Sequence, residues 1–374
     1  MKSNKFWSGL LLLFILISLL SCENEDNSYI DKYTTRLDKL TDSVLTKLTF
    51  DGRTIPLPGL IVGVWAPRQN LTYLKAKGYA NLETHQPMLV TDLFKIGSLT
   101  KTFTATILLQ MVDDGLISLN DTISKYIPGI PNGDIMTIRQ LLAMQSGLFE
   151  VNNDSIVRSV FINEPDHQFS TSELLDAIKR HPATFKPGEN TEYCNSNYII
   201  AGILAEQLTG KSFEECLEER IVQPLALTNT SFLDSRWMPE GKPYSSGYTL
   251  DGNFDYQDIT ERYNLSLAYT AGAMLSDMDN VKKWITNFSS GTLISSAMLA
   301  EMESYHPIFD NSAEYGLGLM RFGGNFLGHT GDVPGCHSIM AHDKDKDITI
   351  IIFINCDTYP PRNVFYDVIS VLDL

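Results

Sequence analysis

Basic residues are scarce in this chain of 374 residues: 29 Lys and Arg stand against 45 Asp and Glu, a formal net charge of −16. A nucleic-acid-binding protein needs a basic patch, so that function class is excluded. Cysteine is rare as well, and five in the whole chain cannot form a dense disulfide scaffold. Glycine (25) and proline (16) stand at ordinary levels, which removes collagen-like and low-complexity readings. No internal repeat and no Gly-rich phosphate loop is present. The longest apolar run, Phe6 to Leu20, is about 15 residues, short of the ~20 that cross a bilayer as a helix. What remains is an acidic globular chain, 43% hydrophobic, long enough for one large domain or two lobes.

That apolar run follows Lys2 and Lys5 and ends Leu19-Leu20-Ser21-Cys22. A basic head, a short apolar segment and small residues read as a secretory signal. The four-residue end resembles a bacterial lipobox, in which Cys22 becomes the lipid-bearing first residue of the mature chain. The expectation is therefore a leader over 1–22 and a lipid-anchored protein on the periplasmic or outer face of the cell envelope. Removing the leader leaves 27 basic against 45 acidic residues, about −18. The polar stretch after Cys22 has nothing to bury and reads as a tether. Leu37, Leu40, Val44, Leu45 and Leu48 then recur at helical spacing, so 23–50 is a tether plus an amphipathic helix.

The body, 51–374, begins and ends with strands. Gly59 to Ala66 and Leu71 to Tyr79 flank a Pro67–Asn70 turn, and Cys336 to Ala341 and Ile348 to Asn355 flank a charged turn, Asp343 to Asp347. Helical patterns lie between: Thr100 to Gly115, Ile138 to Met144, Thr171 to Arg180, Asn197 to Leu208, Phe213 to Ile221, Asp277 to Phe288 and Ser295 to Tyr305. Residues 240–265 read as a surface excursion, and Val364 to Leu372 as a closing helix. The fold class is α/β (α+β): one antiparallel sheet built from both chain ends, flanked by helices, with an inserted all-helical lobe at about 100–265.

Three short elements carry chemistry. Ser98-Leu-Thr-Lys101 opens the long helix, and residues three apart share a helix face, so the Ser98 hydroxyl lies beside the Lys101 amine. Serine is a weak nucleophile that needs a base, and a lysine serves when burial makes it neutral. The second element is Tyr193-Cys194-Asn195: a loop tyrosine passes protons, and the Asn195 amide orients a lysine or bonds a substrate amide. The third is His329-Thr330-Gly331-Asp332, where glycine permits close backbone approach, Thr330 offers a hydroxyl, and His329 offers a switchable charge for an anionic group. Each alone has a plain structural reading as a cap or a turn.

Together, in this order, they resemble the serine β-lactamase and penicillin-binding superfamily, with similarity to class C β-lactamases and the related serine D-Ala-D-Ala carboxypeptidases. The similarity extends through FKIGSLTKTFTATILLQMVDDGLISLNDTISKYIP (94–128), TIRQLLAMQSGL (137–148) and FKPGENTEYCNSNYIIAGILAEQLTG (185–210), and covers roughly 55–360. The resemblance implies an acyl-enzyme on Ser98. Lys101 or Tyr193 is the base, Asn195, His329, Thr330 and Gly331 bind substrate, and the backbone N–H groups of Ser98 and Asp332 form the oxyanion hole. Substrates would be D-amino-acid-terminated peptides or β-lactams, with an esterase on the same scaffold as the alternative. An inactive envelope sensor or binding lipoprotein is the alternative of another class. His329 stands where class C β-lactamases carry Lys, a departure shared with the carboxypeptidase branch, and Arg321 is a candidate replacement charge.

No cofactor motif and no obligate protein partner is evident. His337 and His342 are five apart on a strand, on opposite faces, and lack the ligand spacing of a metal site. Tyr244, Tyr248, Tyr256, Tyr263 and Tyr269 either line a cleft or pack the excursion. Cys336 and Cys356 flank a hairpin and are candidates for pairing.

Overall fold

The computed structural model describes residues 32–374 except residue 51 and residues 234–237. The expected leader, Cys22 and most of the tether lie outside the described residues. Nine strands form the main sheet: β1 (Gly59–Ala66), β2 (Leu71–Asn81), β3 (Gln86–Pro87), β4 (His306–Ile308), β5 (Ala313–Tyr315), β6 (Met320–Phe322), β7 (Phe326–Val333), β8 (Cys336–Asp343) and β9 (Ile348–Ile354). Their order is β4-β5-β6-β7-β8-β9-β1-β2-β3, with every neighbouring pair antiparallel. The chain ends meet at β9 against β1, where Ile352 pairs with Val62. Every residue of β1, β8 and β9 is buried, because helices cover both faces; that is why these strands read as continuous apolar runs rather than alternating ones.

On one face lie α1 (residues 32–44) and α5 (Pro361–Val371). Leu37 and Val44 are fully buried on α1, and Tyr73 of β2 reaches Thr41 Oγ1 at 2.9 Å. Arg36 and Asp373 tie the two helices together at 3.0 Å. On the other face lie α2 (Thr100–Asp113) and α4 (Met278–Ser290). There Trp284 stacks on Phe103 with ring centroids 3.9 Å apart, and its Nε1 donates to Thr102 Oγ1 at 2.8 Å. Beyond α2 the helical insertion includes Thr171–Arg180, started by a capping box from Ser170 and Glu173, and α3 (Asn195–Thr209), ended by Gly210 at φ +70°.

Residues 240–265 depart from the expected surface excursion. Ser245–Tyr248 is buried, and Tyr248–Leu250 pairs with Tyr256–Asp258 in a small hairpin. Tyr248 and Tyr256 pack edge to face, and Tyr269 sits beside Phe213 and Phe232, so these rings pack the fold. Cys194, Cys216, Cys336 and Cys356 are all free and buried. Among the described residues no helix is long and apolar enough to cross a membrane.

Candidate active site

Ser98 stands on a single tight turn, Gly97–Leu99, immediately before α2. Gly97 takes φ +56°, and a Cβ there would sit 2.7 Å from the Asp332 nitrogen. Gly331 is tighter still: its Cβ would lie 2.0 Å from Ile96 O and 2.2 Å from Ser338 Oγ. The two glycines let β7 press its backbone against the Ser98 turn, and Ser338 Oγ donates to Ile96 O at 2.9 Å to hold it there.

Lys101, the second residue of α2, is fully buried. Its Nζ lies 2.8 Å from Ser98 Oγ, 2.7 Å from Asn195 Oδ1 and 2.7 Å from Ala271 O. Burial pulls the Lys101 amine from 10.5 down to about 7, against the opposing attraction of Glu150. A neutral amine has two hydrogens and one lone pair. Two of the three neighbours, the Asn195 and Ala271 oxygens, can only accept, so they take the hydrogens and leave the lone pair facing the Ser98 hydroxyl.

Tyr193 is partly buried and hydrogen-bonded to Ser98, and burial holds its phenol well above the ordinary range. Lys101 Nζ sits 4.8 Å from its ring centroid. Asn195, the first residue of α3, is fixed by Glu150, whose Oε2 accepts from the Asn195 backbone N–H at 2.6 Å and from Nδ2 at 3.3 Å. Gly202 allows α3 to approach the Tyr269–Ala271 turn, where a Cβ would meet Thr270 Oγ1 at 2.2 Å. That approach delivers the Ala271 carbonyl to Lys101.

The motif residues Ser98, Lys101, Tyr193 and Asn195 thus converge in one place. His329 does not play the expected part. Its ring is fully buried; Nδ1 donates to Thr330 O at 2.6 Å, and Nε2 accepts from Tyr315 OH at 3.1 Å. Burial, reinforced by the charge of Lys101, lowers it from 6.5 to about 3. The imidazole is neutral and has no nitrogen left for a ligand, so the switchable charge is not available; it supports the wall behind Tyr193, 6.1 Å away by ring centroids. Arg321 is also committed elsewhere: its Nε donates to Glu314 at 2.6 Å, and its guanidinium covers Tyr305 at 4.4 Å.

Asp332 is exposed, and its Oδ1 meets His337 Nε2 at 2.7 Å across the β7–β8 ladder. His337 Nδ1 lies 3.1 Å from Tyr359 O. Burial opposes charge on His337, yet the contacts to Asp332 outweigh it and raise its pKa. His342 turns instead to Thr349 Oγ1, at 2.9 Å, and both histidines thus have side-chain or backbone partners.

Ser98, Tyr193, Asn195 and Asp332 line a cleft of about 530 Å³. A second cavity of about 530 Å³ opens beyond β7 and is lined by Thr330, Gly331, Asp332 and His337. A larger cavity, about 690 Å³, lies between 188–193 and 307–311 and touches this cluster only through Tyr193. Glu150, Tyr315 and the Ala271 carbonyl are the residues that sequence reasoning missed. The first lies two residues beyond the Ser146-Gly-Leu element, which was the one available signal; a carbonyl has none.

Residues 50–369 match the Beta-lactamase family model. A putative penicillin-binding protein of Bacillus subtilis, PbpX, is 27% identical over 285 residues, spanning 75% of this chain and 66% of that relative. A D-stereospecific amidohydrolase from Streptomyces sp. superimposes with TM-score 0.77 at 28% identity, covering 89% of this chain and 97% of the other. A D-amino acid amidase from Ochrobactrum anthropi SV3, solved with D-phenylalanine, gives TM-score 0.77 at 26% identity over 90% and 99% of the two chains. With its antiparallel sheet and its Ser98–Lys101–Tyr193 cluster, the chain belongs to the β-lactamase family, within the superfamily of serine β-lactamases and penicillin-binding proteins.

Proposed function

We propose that this protein is a serine hydrolase that forms an acyl-enzyme on Ser98 and cleaves amide bonds of D-amino-acid compounds, peptides ending in a D-amino acid foremost. The observation that carries the reading is the Lys101 amine, lowered to about 7 and aimed by two obligate acceptors at Ser98 Oγ.

In the first step Lys101 takes the Ser98 proton as Oγ attacks the carbonyl carbon. Tyr193 is neutral at pH 7, because its phenol is held above the usual range, so it acts as a proton donor and relay rather than as the base. The tetrahedral oxyanion is received by the Ser98 and Asp332 N–H groups, a geometry favoured by the packing of Gly97 on Asp332. The Lys101 proton passes through Tyr193 to the leaving nitrogen. Water then attacks the Ser98 ester by the reverse path. The D-amino-acid preference rests on the likeness to a D-stereospecific amidohydrolase and a D-amino acid amidase. Asn195, with Thr330 and Gly331 along β7, would hold the substrate. An anchor through Cys22 would place this activity at the envelope.

The test is turnover of four substrates in parallel: a D-Ala-D-Ala peptide, D-phenylalanine amide, a chromogenic cephalosporin and a nitrophenyl ester. The expected result is turnover of at least the D-amide or D-peptide that falls ~10³-fold or more in Ser98→Ala. Undiminished turnover by Ser98→Ala overturns the mechanism.

A further inference from the structure

The catalytic cleft contains a cation for which the chemistry above has no use. Arg158 lies on the helix Ser155–Asn163 and lines the same cleft as Ser98. Its side chain is exposed and has no ion-pair or hydrogen-bond partner among the described residues. The nearest acid in sequence, Asp154, is not available to it: its Oδ2 already meets Arg180 at 3.3 Å and His181 at 2.8 Å. What sets Arg158 apart is its place: it is the one cation lining this cleft among the described residues, on the same wall system as Ser98.

The helix that carries it is firmly placed. Asp154, buried, caps it by accepting from Ile156 N and Val157 N, both at 2.9 Å, and His181 and Arg180 lock that carboxylate in turn. Phe161 of the same helix stacks on Tyr263 at 4.8 Å. Phe161, Ile162 and Leu265 therefore give the cleft an apolar wall, with Ile162 left 52% exposed. Further polar groups on this side can donate. Asn264 uses its Oδ1 on the Ser266 N–H at 2.9 Å, and neither its amide N–H₂ nor the Asn152 side-chain amide has a hydrogen-bond partner among the described residues. Among the described residues the one acid lining this cleft is Asp332, and it is held by His337.

We propose that this cleft selects acyl groups that bear a carboxylate, with Arg158 as the receiving cation beside Asn152 and Asn264, and with the hydrocarbon of the acyl chain against Phe161 and Ile162. The inference rests on the acyl-enzyme reading for its assignment to the acyl side: the acyl group stays bonded to Ser98 Oγ between the two steps, so it occupies space that Ser98 lines. The cavity beyond β7 is not lined by Ser98. An arginine fork matches a carboxylate with two parallel N–H···O bonds, which a point charge cannot do.

The experiment compares nitrophenyl hydrogen glutarate with nitrophenyl pentanoate, acyl groups of equal length that differ in a terminal carboxylate. The overall negative charge of the protein disfavours the acidic ester, so a preference for it must come from a local cation. The expected kcat/KM ratio, glutarate over pentanoate, is about 10 or more in the wild type, collapses towards 1 in Arg158→Gln, and is partly restored in Arg158→Lys. A merely structural role for Arg158 would lower both rates and leave the ratio, which overturns the proposal. A wild-type ratio of 1 or below, with turnover still dependent on Ser98, overturns it too while leaving the acyl-enzyme reading intact. A second measurement needs no turnover: binding of N-glutaryl-D-phenylalanine amide and N-pentanoyl-D-phenylalanine amide to Ser98→Ala, with and without Arg158→Gln. Tighter binding of the glutaryl compound that Arg158→Gln abolishes supports the site; equal affinities overturn it.

Discussion

Lys101 Nζ lies 2.8 Å from Ser98 Oγ, at the third corner of a tripod whose other two corners are oxygens that can only accept. Loss of one proton from Lys101 therefore converts a donor to Ser98 into a base for it, without any movement of the side chain. The group titrates at about 7. The expected outcome is an ascending limb in kcat/KM with a midpoint near pH 7, full above it and lost below it as Lys101 becomes protonated. Lys101→Arg, which stays charged and cannot act as base, is expected to lose about 10³-fold in kcat at every pH measured. A profile flat from pH 5.5 to 8.5 would assign the base elsewhere.

Glu150 acts on this pair through Asn195. Its carboxylate fixes both the backbone and the side-chain amide of Asn195, and its charge favours the protonated form of Lys101. Glu150→Gln removes the charge and keeps the shape. The sign is then determined: without the opposing attraction the Lys101 pKa falls, and the ascending limb moves to lower pH. A rate profile that shifts to higher pH, or does not shift, contradicts the coupling.

The candidate cluster was legible because its first three members depend on local spacing. Ser98 and Lys101 are one helical turn apart, and Asn195 stands two residues after Tyr193 at the start of a helix. The strands Gly59–Ala66 and Ile348–Ile354 were legible for a similar reason: both faces are buried, so the apolar run equals the strand. Helix Thr171–Arg180 announced its own start by the Ser170–Glu173 capping box. What sequence could not show is what depends on long-range approach. The Ala271 carbonyl reaches Lys101 only because Gly202 lets α3 close on its turn, and a backbone oxygen has no residue type to mark it. His329 invited a charged reading, since nothing in His-Thr-Gly tells whether the ring faces solvent or the interior. Strands of three residues, such as His306–Ile308 and Ala313–Tyr315, are too short for any period to register.

Gly331 tests the backbone approach on its own. A Cβ there meets the Ile96 carbonyl at 2.0 Å, and backbone cannot swing aside as a side chain does. Gly331→Ala is expected to push β7 off the Ser98 turn, costing about 1–3 kcal/mol of stability and ~10² in kcat as the second oxyanion donor is displaced. Gly252→Ala, with nothing within 4 Å of the new methyl, serves as the control. If the folded Gly331→Ala protein kept wild-type kcat, the Asp332 N–H would not be part of the oxyanion site.

His329 links the site to stability. Its neutral ring is kept at about 3 in the folded protein against 6.5 when unfolded, so between those values the unfolded chain binds a proton that the folded one refuses. Stability from this residue is complete above pH 6.5 and falls as pH drops below it, by about 1.4 kcal/mol per pH unit for one proton. His342, also lowered, adds in the same direction, whereas His337, raised by Asp332, acts oppositely. Between pH 6.5 and 5, above the ordinary carboxylate range, denaturant unfolding is expected to show this slope in the wild type and a smaller one in His329→Gln. His329→Lys is expected to be worse at neutral pH than either, because a second buried amine would face Lys101 with Tyr315 OH and Thr330 O as its only described partners. An unchanged slope in His329→Gln would show that the ring titrates in the folded state after all, and the neutral, buried role assigned to it here would fail.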